Sequence, residues 1–156
     1  MEEIKYKGRR IDNGEWVYGF VFIADGKTYI IGKEVIICKY KIDGSDLINY
    51  FVEVIPETVG QYTGLKDKNC KDIYEGDVLK GTSYLYGYQL ANGKQFDYLG
   101  FVEWQSQCDV GLCYQLTDVE GGSWNLNQVV HRNDIDYCTG EIIGNVFENS
   151  ELLESK

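Results

Sequence analysis

Hydrophobic residues occupy nearly every position of residues 15–23, which is one of the best-defined segments of the chain. Successive side chains point to opposite faces of a β-strand, and the apolar residues here are mainly aromatic and β-branched, so the segment is predicted to be a strand. One face would carry Trp16, Tyr18, Phe20 and Phe22, and the other would carry aliphatic residues and a glycine. Because both faces are apolar, we expect this strand to be buried on both sides or to lie at an interface.

Short apolar runs of the same kind continue along the whole chain, separated by turns rich in glycine, asparagine and aspartate. This pattern predicts a mainly β protein made of short antiparallel strands. A short C-terminal helical turn is predicted over residues 150–154. We divide the chain into an N-terminal hairpin and meander region (1–60), a C-terminal region (61–150) and a frayed tail (151–156); the first two regions either form separate units or share one core.

The clearest predicted hairpin joins residues 82–90 to residues 95–104 through Asn92-Gly93. A two-residue Asn-Gly turn would pair Leu90 with Gln95, which sets Tyr84 opposite Phe101. Tyr84, Tyr86 and Tyr88 would then form a stripe on one face of the hairpin. Such a stripe is typical of cross-strand packing, but if it is exposed it is a candidate contact surface.

Four backbone positions stand out in the rest of the chain. Pro56 is the only proline, and because it lacks a backbone donor, regular pairing should stop near it. In the polar turn of residues 67–71, Asn69 can adopt a positive φ at modest cost. Gly76 is predicted to form a sharp bend and Gly144 a bulge or a close approach, because each interrupts a strand pattern.

Three segments resemble the YopX family, which is encoded in phages and prophages. They are PETVGQYTGLKDKN followed by IYEGDVL in the centre, IKYKGRRIDNGEWVYGF at the start, and EIIGNVFENSELLE at the end. One departure is Cys70, where the family commonly has glycine after the turn asparagine. The resemblance implies a β-rich protein with an SH3-like small barrel in the C-terminal half, and it implies no established activity.

The net charge of −10 is distributed unevenly. Residues 1–80 carry −2 and residues 81–156 carry −8. An acidic chain repels phosphate backbones, so direct nucleic-acid binding is disfavoured. Solubility is the simplest interpretation of the acidic half, and mimicry of nucleic acid or a basic partner is the alternative.

The five cysteines are odd in number and contain no Cys-x-x-Cys motif. No secretory signal precedes them, so free thiols in the cytoplasm of a bacterial host are the expected state. No apolar run approaches the roughly 20 residues of a membrane span, and we expect no membrane association.

Catalytic and metal-binding patterns are absent from the sequence. His131 is the only histidine, and no Gly-x-Ser-x-Gly motif accompanies it. Asp134 and Asp136 would share a strand face, but no cage of further oxygen ligands is apparent. Cys108 and Cys113 lack a second pair that would complete a zinc site. We therefore predict no catalytic residue, no metal, no cofactor and no enzymatic activity.

The remaining hypothesis is a protein-interaction module that self-associates and contacts an unidentified host or phage protein. Its predicted contact residues are Trp16, Tyr18, Tyr84, Tyr86 and Tyr88. The alternative is an accessory factor of phage DNA or RNA metabolism, because the first 41 residues are locally basic. These cations are Lys5, Lys7, Arg9, Arg10, Lys27, Lys33, Lys39 and Lys41.

Overall fold

The computed structural model of the chain describes residues 5–32, 50–84, 95–108, 111–130 and 140–154. Within these ranges the protein is mainly β, with eleven antiparallel strands and only short helical turns, which confirms the predicted fold class. The chain divides into two compact units, Met1–Tyr62 and Thr63–Lys156. Strand β5 (Gly60–Lys66) contains the boundary between them.

The N-terminal unit is one antiparallel sheet in which strands pair in the order β4-β3-β2-β1, followed by the first residues of β5. The bounds of the first four strands are Tyr6–Arg9 for β1, Trp16–Ala24 for β2, Lys27–Gly32 for β3 and Phe51–Val54 for β4. The hairpin predicted in the N-terminal region is confirmed, because β1 and β2 pair directly on either side of residues 10–15.

This sheet curls so that β4 approaches the end of β1. Arg10 forms an isolated antiparallel bridge with Val54. Val54 and Ile30 are fully buried, and both lie against Gly8, where a β-carbon would come within 2.9 Å of Ile30 Cδ1. The core of the unit therefore lies on the face that carries Gly8, Ile30 and Val54.

The C-terminal unit contains a five-stranded antiparallel sheet in the order β10-β9-β8-β7-β11. Its strands, with the short β6 that precedes them, are Asp72–Tyr74 (β6), Asp77–Tyr84 (β7), Gln95–Cys108 (β8), Gly111–Asp118 (β9), Ser123–Asn125 (β10) and Gly140–Asn145 (β11). A single helical turn, Leu126–Val129, follows β10. The buried side chains form one core and are Ile73, Leu79, Tyr98, Val102, Leu116, Leu126, Val129 and Val130.

A 3₁₀ turn at Ser150–Leu153 confirms the predicted C-terminal helical turn. Among the described residues no pairing joins the two edge strands of the C-terminal sheet, β10 and β11. The SH3-like barrel that the family resemblance implies therefore stays a prediction.

The predicted register of the β7–β8 hairpin is wrong. Tyr84 pairs with Gln95 rather than with Phe101, which is opposite Val78. The two registers differ by six residues, and an even shift keeps every side chain on the same face, so alternation alone cannot distinguish them. The Asn92-Gly93 turn from which the register was predicted lies outside the described residues.

The polar turn of residues 67–71 is present, and its positive φ falls one residue after the asparagine that could adopt it. The residue with a positive φ is Cys70, at 62°, and not Asn69. Three other backbone predictions are confirmed. β4 ends before a 3₁₀ turn at Pro56–Thr58, Gly76 has a φ of 83°, and the β11–β7 register shifts just before Gly144.

Candidate contact surface

One face of the N-terminal sheet carries a group of aromatic side chains from three strands. The register sets Phe22 of β2 opposite Tyr29 of β3, while Ile31, two residues further along β3, pairs with Phe51 of β4. Residues that are paired directly lie on the same face, and so do residues two apart. Tyr18, Phe22, Tyr29 and Phe51 therefore share one face, and we call these four residues the aromatic patch.

Three of the four rings contact one another. The ring centroids of Phe22 and Phe51 are 5.5 Å apart with the planes at 70°, and those of Tyr29 and Phe51 are 6.2 Å apart at 83°. Edge-to-face contacts of this kind are each worth roughly 0.5–1.5 kcal/mol beyond the buried area. The rings thus support one another across β3 and hold a fixed arrangement.

The aromatic patch is open to solvent along β2. Tyr18 is 50% exposed and Phe22 is 46% exposed, which is high for large apolar side chains in a sheet. Large side chains left exposed in this way are the kind that mark contact sites when they are contiguous. Ile23, on the opposite face of β2, is also exposed, at 68%.

Towards β1 the same face is closed. Lys7 is only 3% exposed, and its ammonium lies 4.9 Å from the centroid of the Trp16 ring. Lys5 lies over Tyr62 at 4.4 Å in the same manner. A lysine over an aromatic face is attracted by the ring quadrupole. Of the two predicted contact residues on β2, Tyr18 therefore belongs to the open surface, whereas Trp16 is partly buried beneath a lysine.

Charged groups of the N-terminal unit form ion pairs within the chain. Lys27 Nζ lies 2.9 Å from Glu53 Oε2, and Arg10 Nη2 lies 2.6 Å from Asp12 Oδ2. The hydrogen bond from Arg10 lowers the pKa of Asp12, and the hydrogen bond to Glu53 raises the pKa of Lys27. On the face that carries the patch, Lys27 and Glu53 therefore balance each other's charge.

Most of the tyrosine stripe predicted in the C-terminal half lies outside the described residues. Tyr86 and Tyr88 lie outside the described residues, and Tyr84 is described only through its backbone pairing with Gln95. His131, Asp134 and Asp136 also lie outside the described residues. In the part of the chain that is described, no group of three or more histidine, cysteine or acidic side chains could hold a metal ion.

The prediction of free thiols is wrong for Cys113 and for the cysteine bonded to it. Cys113 is disulfide-bonded, whereas Cys70 is free and exposed. An odd number of cysteines without a Cys-x-x-Cys motif gave no signal of this bond. Disulfides persist chiefly in oxidising compartments. The cysteines therefore no longer support the prediction of a reducing compartment.

Side chains of the central segment that carries the family resemblance hold the backbone in place through hydrogen bonds. Thr58 is buried, and its hydroxyl donates to the Ile55 carbonyl at 2.7 Å while accepting from the Arg9 N–H at 2.9 Å. This fixes the 3₁₀ turn after Pro56 to the end of β1. Proline lacks a backbone N–H, and the threonine hydroxyl bonds to the backbone nearby. Both effects favour this turn over regular strand pairing.

Asp67 likewise holds the backbone of the turn at residues 67–71 through hydrogen bonds. It is buried, and its Oδ1 accepts from the N–H groups of Asn69 and Lys71 at 2.8 and 2.9 Å. Its Oδ2 accepts from the Ile142 N–H on β11 at 3.2 Å. The Lys68 N–H also donates to the Gly140 carbonyl, so the turn is attached to the edge of β11 at two points.

The bend between β6 and β7 is held by the side chains of its own acidic residues. Asp77 Oδ2 accepts from the Tyr74 N–H at 2.8 Å, and Glu75 Oε1 accepts from the Trp104 N–H at 3.1 Å. The Gly76 N–H donates to the Val102 carbonyl. These family residues stabilise the bend.

Within the described residues no helix has the length and hydrophobicity needed to cross a membrane. In a comparison with protein families, the family described as "YopX protein" matches residues 10–154, which is nearly the whole chain. A comparison with curated proteins gives no match.

Proposed function

The chain belongs to the YopX family, and from this premise we propose that it is a phage-type, non-enzymatic protein-interaction module that self-associates through the aromatic patch. The observation that carries the proposal is the exposure of Tyr18 and Phe22 on a face whose rings are already fixed by mutual contacts. Aromatic residues are enriched at the energetic centres of protein interfaces.

The fixed arrangement of the rings favours binding. Ordering of side chains at an interface costs roughly 0.5–1.5 kcal/mol for each flexible side chain that is immobilised. Phe22 is in contact with Phe51, which is in contact with Tyr29, so little of this cost remains to be met when a partner covers them. The patch is therefore better suited to binding than isolated exposed rings would be.

The same face argues for a protein partner over a nucleic acid. Single strands are held by rings for the bases together with cations for the phosphates. Here Lys7 is buried over Trp16, and Lys27 is paired with Glu53. With a net charge of −10 for the chain, the open part of the face offers rings without a surplus of positive charge.

A pair of variants on adjacent residues of β2 tests the proposal. Phe22→Ser removes a ring from the patch, and Ile23→Ser removes an even more exposed apolar side chain from the opposite face of the same strand. We expect Phe22→Ser to raise the dissociation constant for self-association by about tenfold or more, and Ile23→Ser to change it little. Light scattering over a concentration series measures both.

Equal effects of the two variants, or a wild-type protein that stays monomeric at high concentration, would overturn the role of the patch in self-association. The wider proposal of a host or phage partner is tested by affinity capture from host lysate with the wild type and Phe22→Ser as matched baits. A partner recovered equally by both baits would not bind through this surface. A low-salt gel shift with single-stranded DNA or RNA tests the nucleic-acid alternative, which predicts a shift at about 50 mM salt.

A further inference from the structure

We propose that Trp104 and Glu75 form a binding site for the guanidinium group of an arginine, carried by a basic segment of a partner protein. The site lies in the C-terminal unit, so this inference does not depend on self-association through the aromatic patch. A guanidinium group stacks on aromatic rings and donates hydrogen bonds to carboxylates. Trp104 and Glu75 supply one group for each of these interactions.

Trp104 offers an exposed ring in a fixed position. It lies on β8 and is 42% exposed. Tyr114 is paired with it on β9, and the two ring centroids are 4.8 Å apart with the planes at 68°. Tyr114 therefore supports the indole from the β9 side and leaves part of it open to solvent. Tryptophan is also the side chain that attracts cations most strongly.

The Glu75 carboxylate lies beside the same tryptophan, on the other side of β8. In the sheet β8 lies between β9 and β7, and Glu75 directly precedes the bend from which β7 begins. Glu75 Oε1 accepts from the Trp104 N–H at 3.1 Å, which places the carboxylate next to the backbone from which the indole projects. A cation on the β7 side of the ring can therefore contact the ring and the carboxylate together.

The carboxylate of Glu75 keeps its second oxygen available. Among the described residues Glu75 bonds to Trp104 and forms no ion pair. The ion pairs described in this unit use other carboxylates and are Lys66–Asp72 and Lys68–Glu141. A cation from a partner would therefore not have to displace a lysine of the chain from Glu75.

The net charge of the unit favours a cationic partner. Residues 63–80 carry four lysines and four acidic side chains, and residues 81–156 carry −8, so the whole unit carries −8. Opposite net charge raises the rate at which a basic segment associates with the unit. The same charge repels the phosphates of a nucleic acid.

The arrangement of the two rings favours a planar cation. A trimethylated ammonium is bound by a cage of aromatic rings. Trp104 and Tyr114 are in direct edge-to-face contact, so they leave no gap between them for such a group. A guanidinium group needs one open ring face and a carboxylate within reach of its N–H groups. Arginine therefore fits this site better than lysine or trimethyllysine.

Peptides that differ only in their cation test this specificity. The probes are acetylated peptides of Arg-Gly-Gly repeats, and two peptides of the same length and charge that contain lysine or trimethyllysine in place of arginine. An NMR titration at about 50 mM salt follows the indole N–H of Trp104, which is assigned from its loss in Trp104→Phe. We expect the arginine peptide to bind at least about threefold more tightly than either of the others.

A pair of charge variants tests the role of Glu75. Glu75→Gln removes the charge but retains an oxygen that can accept from the Trp104 N–H. Glu103→Gln is the matched control, because it removes the same charge from the opposite face of β8, where Glu103 bonds to Thr117. We expect Glu75→Gln to weaken binding of the arginine peptide by about fivefold or more, and Glu103→Gln by less than about twofold.

These two differences together would support the site. Equal affinities for the three peptides, or equal effects of the two charge variants, would mean attraction by net charge alone and would overturn it. Absence of binding, or tighter binding of the trimethyllysine peptide, would overturn recognition of a guanidinium group. If circular dichroism shows that Glu75→Gln is unfolded, Trp104→Phe decides: it should weaken binding of the arginine peptide by about threefold, and an unchanged affinity would overturn the site.

Discussion

The carboxylate of Asp67 accepts a hydrogen bond from the backbone N–H of Ile142, which lies 75 residues later in the chain. The same carboxylate accepts two further N–H groups from its own turn. A residue of the central family segment is thus joined directly to β11, the strand formed by the C-terminal family segment.

The first prediction concerns this carboxylate. Asp67→Ala removes a buried acceptor and leaves three N–H groups without it, so we expect the free energy of unfolding to fall by about 2–3 kcal/mol. Urea denaturation measures the change. Glu120→Ala, at an exposed turn position, is the matched control and should change stability by less than about 0.5 kcal/mol. If both variants lose a similar amount of unfolding free energy, the Asp67 carboxylate does not stabilise the turn.

The second prediction concerns a close approach inside the C-terminal unit. A β-carbon on Gly140 would collide with the hydroxyl oxygen of Tyr98. Gly140→Ala should therefore destabilise the protein by about 1–3 kcal/mol through overpacking. In a Tyr98→Phe background the obstructing oxygen is gone, and the same substitution should cost less than half as much. A double-mutant cycle measured by thermal unfolding checks this coupling, and additive effects would contradict it.

The third prediction concerns Cys70, whose φ of 62° is strained for a residue with a β-carbon. Cys70→Gly relieves a strain of roughly 1–2 kcal/mol and increases the backbone freedom of the unfolded chain by roughly half of that. We expect a net gain in stability of about 0.5–1 kcal/mol. Cys70→Val, with a branched side chain, should destabilise instead. Urea midpoints of the three proteins decide, and a loss of stability in Cys70→Gly would contradict the strained conformation.

The fourth prediction concerns pH. The hydrogen bond from Arg10 lowers the pKa of Asp12 below its ordinary value of 3.8. A carboxyl group whose pKa is lowered by folding stabilises the folded state above the unfolded-state pKa, and this contribution is lost as the pH falls through the folded-state pKa. An NMR titration should find the Asp12 pKa below 3.8 in the wild type and close to the ordinary value in Arg10→Ala. An unchanged pKa in the variant would mean that the ion pair does not form in solution.

Much of the backbone could be predicted from local sequence because its causes are local. Pro56 stops β4 since proline lacks a donor, Gly76 bends the chain, and Gly144 lies beside a register shift. At Gly144 a β-carbon would also collide with the side-chain oxygen of Asn149. Each of these features depends on one or two residues that are close together in the sequence.

What could not be predicted depends on pairing between distant residues. The β7–β8 register differs from the predicted one by an even number of residues, which leaves the hydrophobic pattern unchanged. Of the aromatic patch, only Tyr18 is among the contact residues predicted from the sequence, because Phe51 joins Phe22 and Tyr29 through the pairing of β4 with β3. Nothing in the local pattern of Phe51 indicates which strand it will lie beside.

The most direct test of the central claim is hydroxyl-radical footprinting of the wild type at low and at high protein concentration, read out by mass spectrometry. If copies associate through the aromatic patch, labelling of Tyr18 and Phe22 should fall severalfold at high concentration, while labelling of Ile23, exposed on the opposite face, should stay the same. Equal labelling of Tyr18 and Phe22 at both concentrations, or protection of Ile23 instead, would contradict the account.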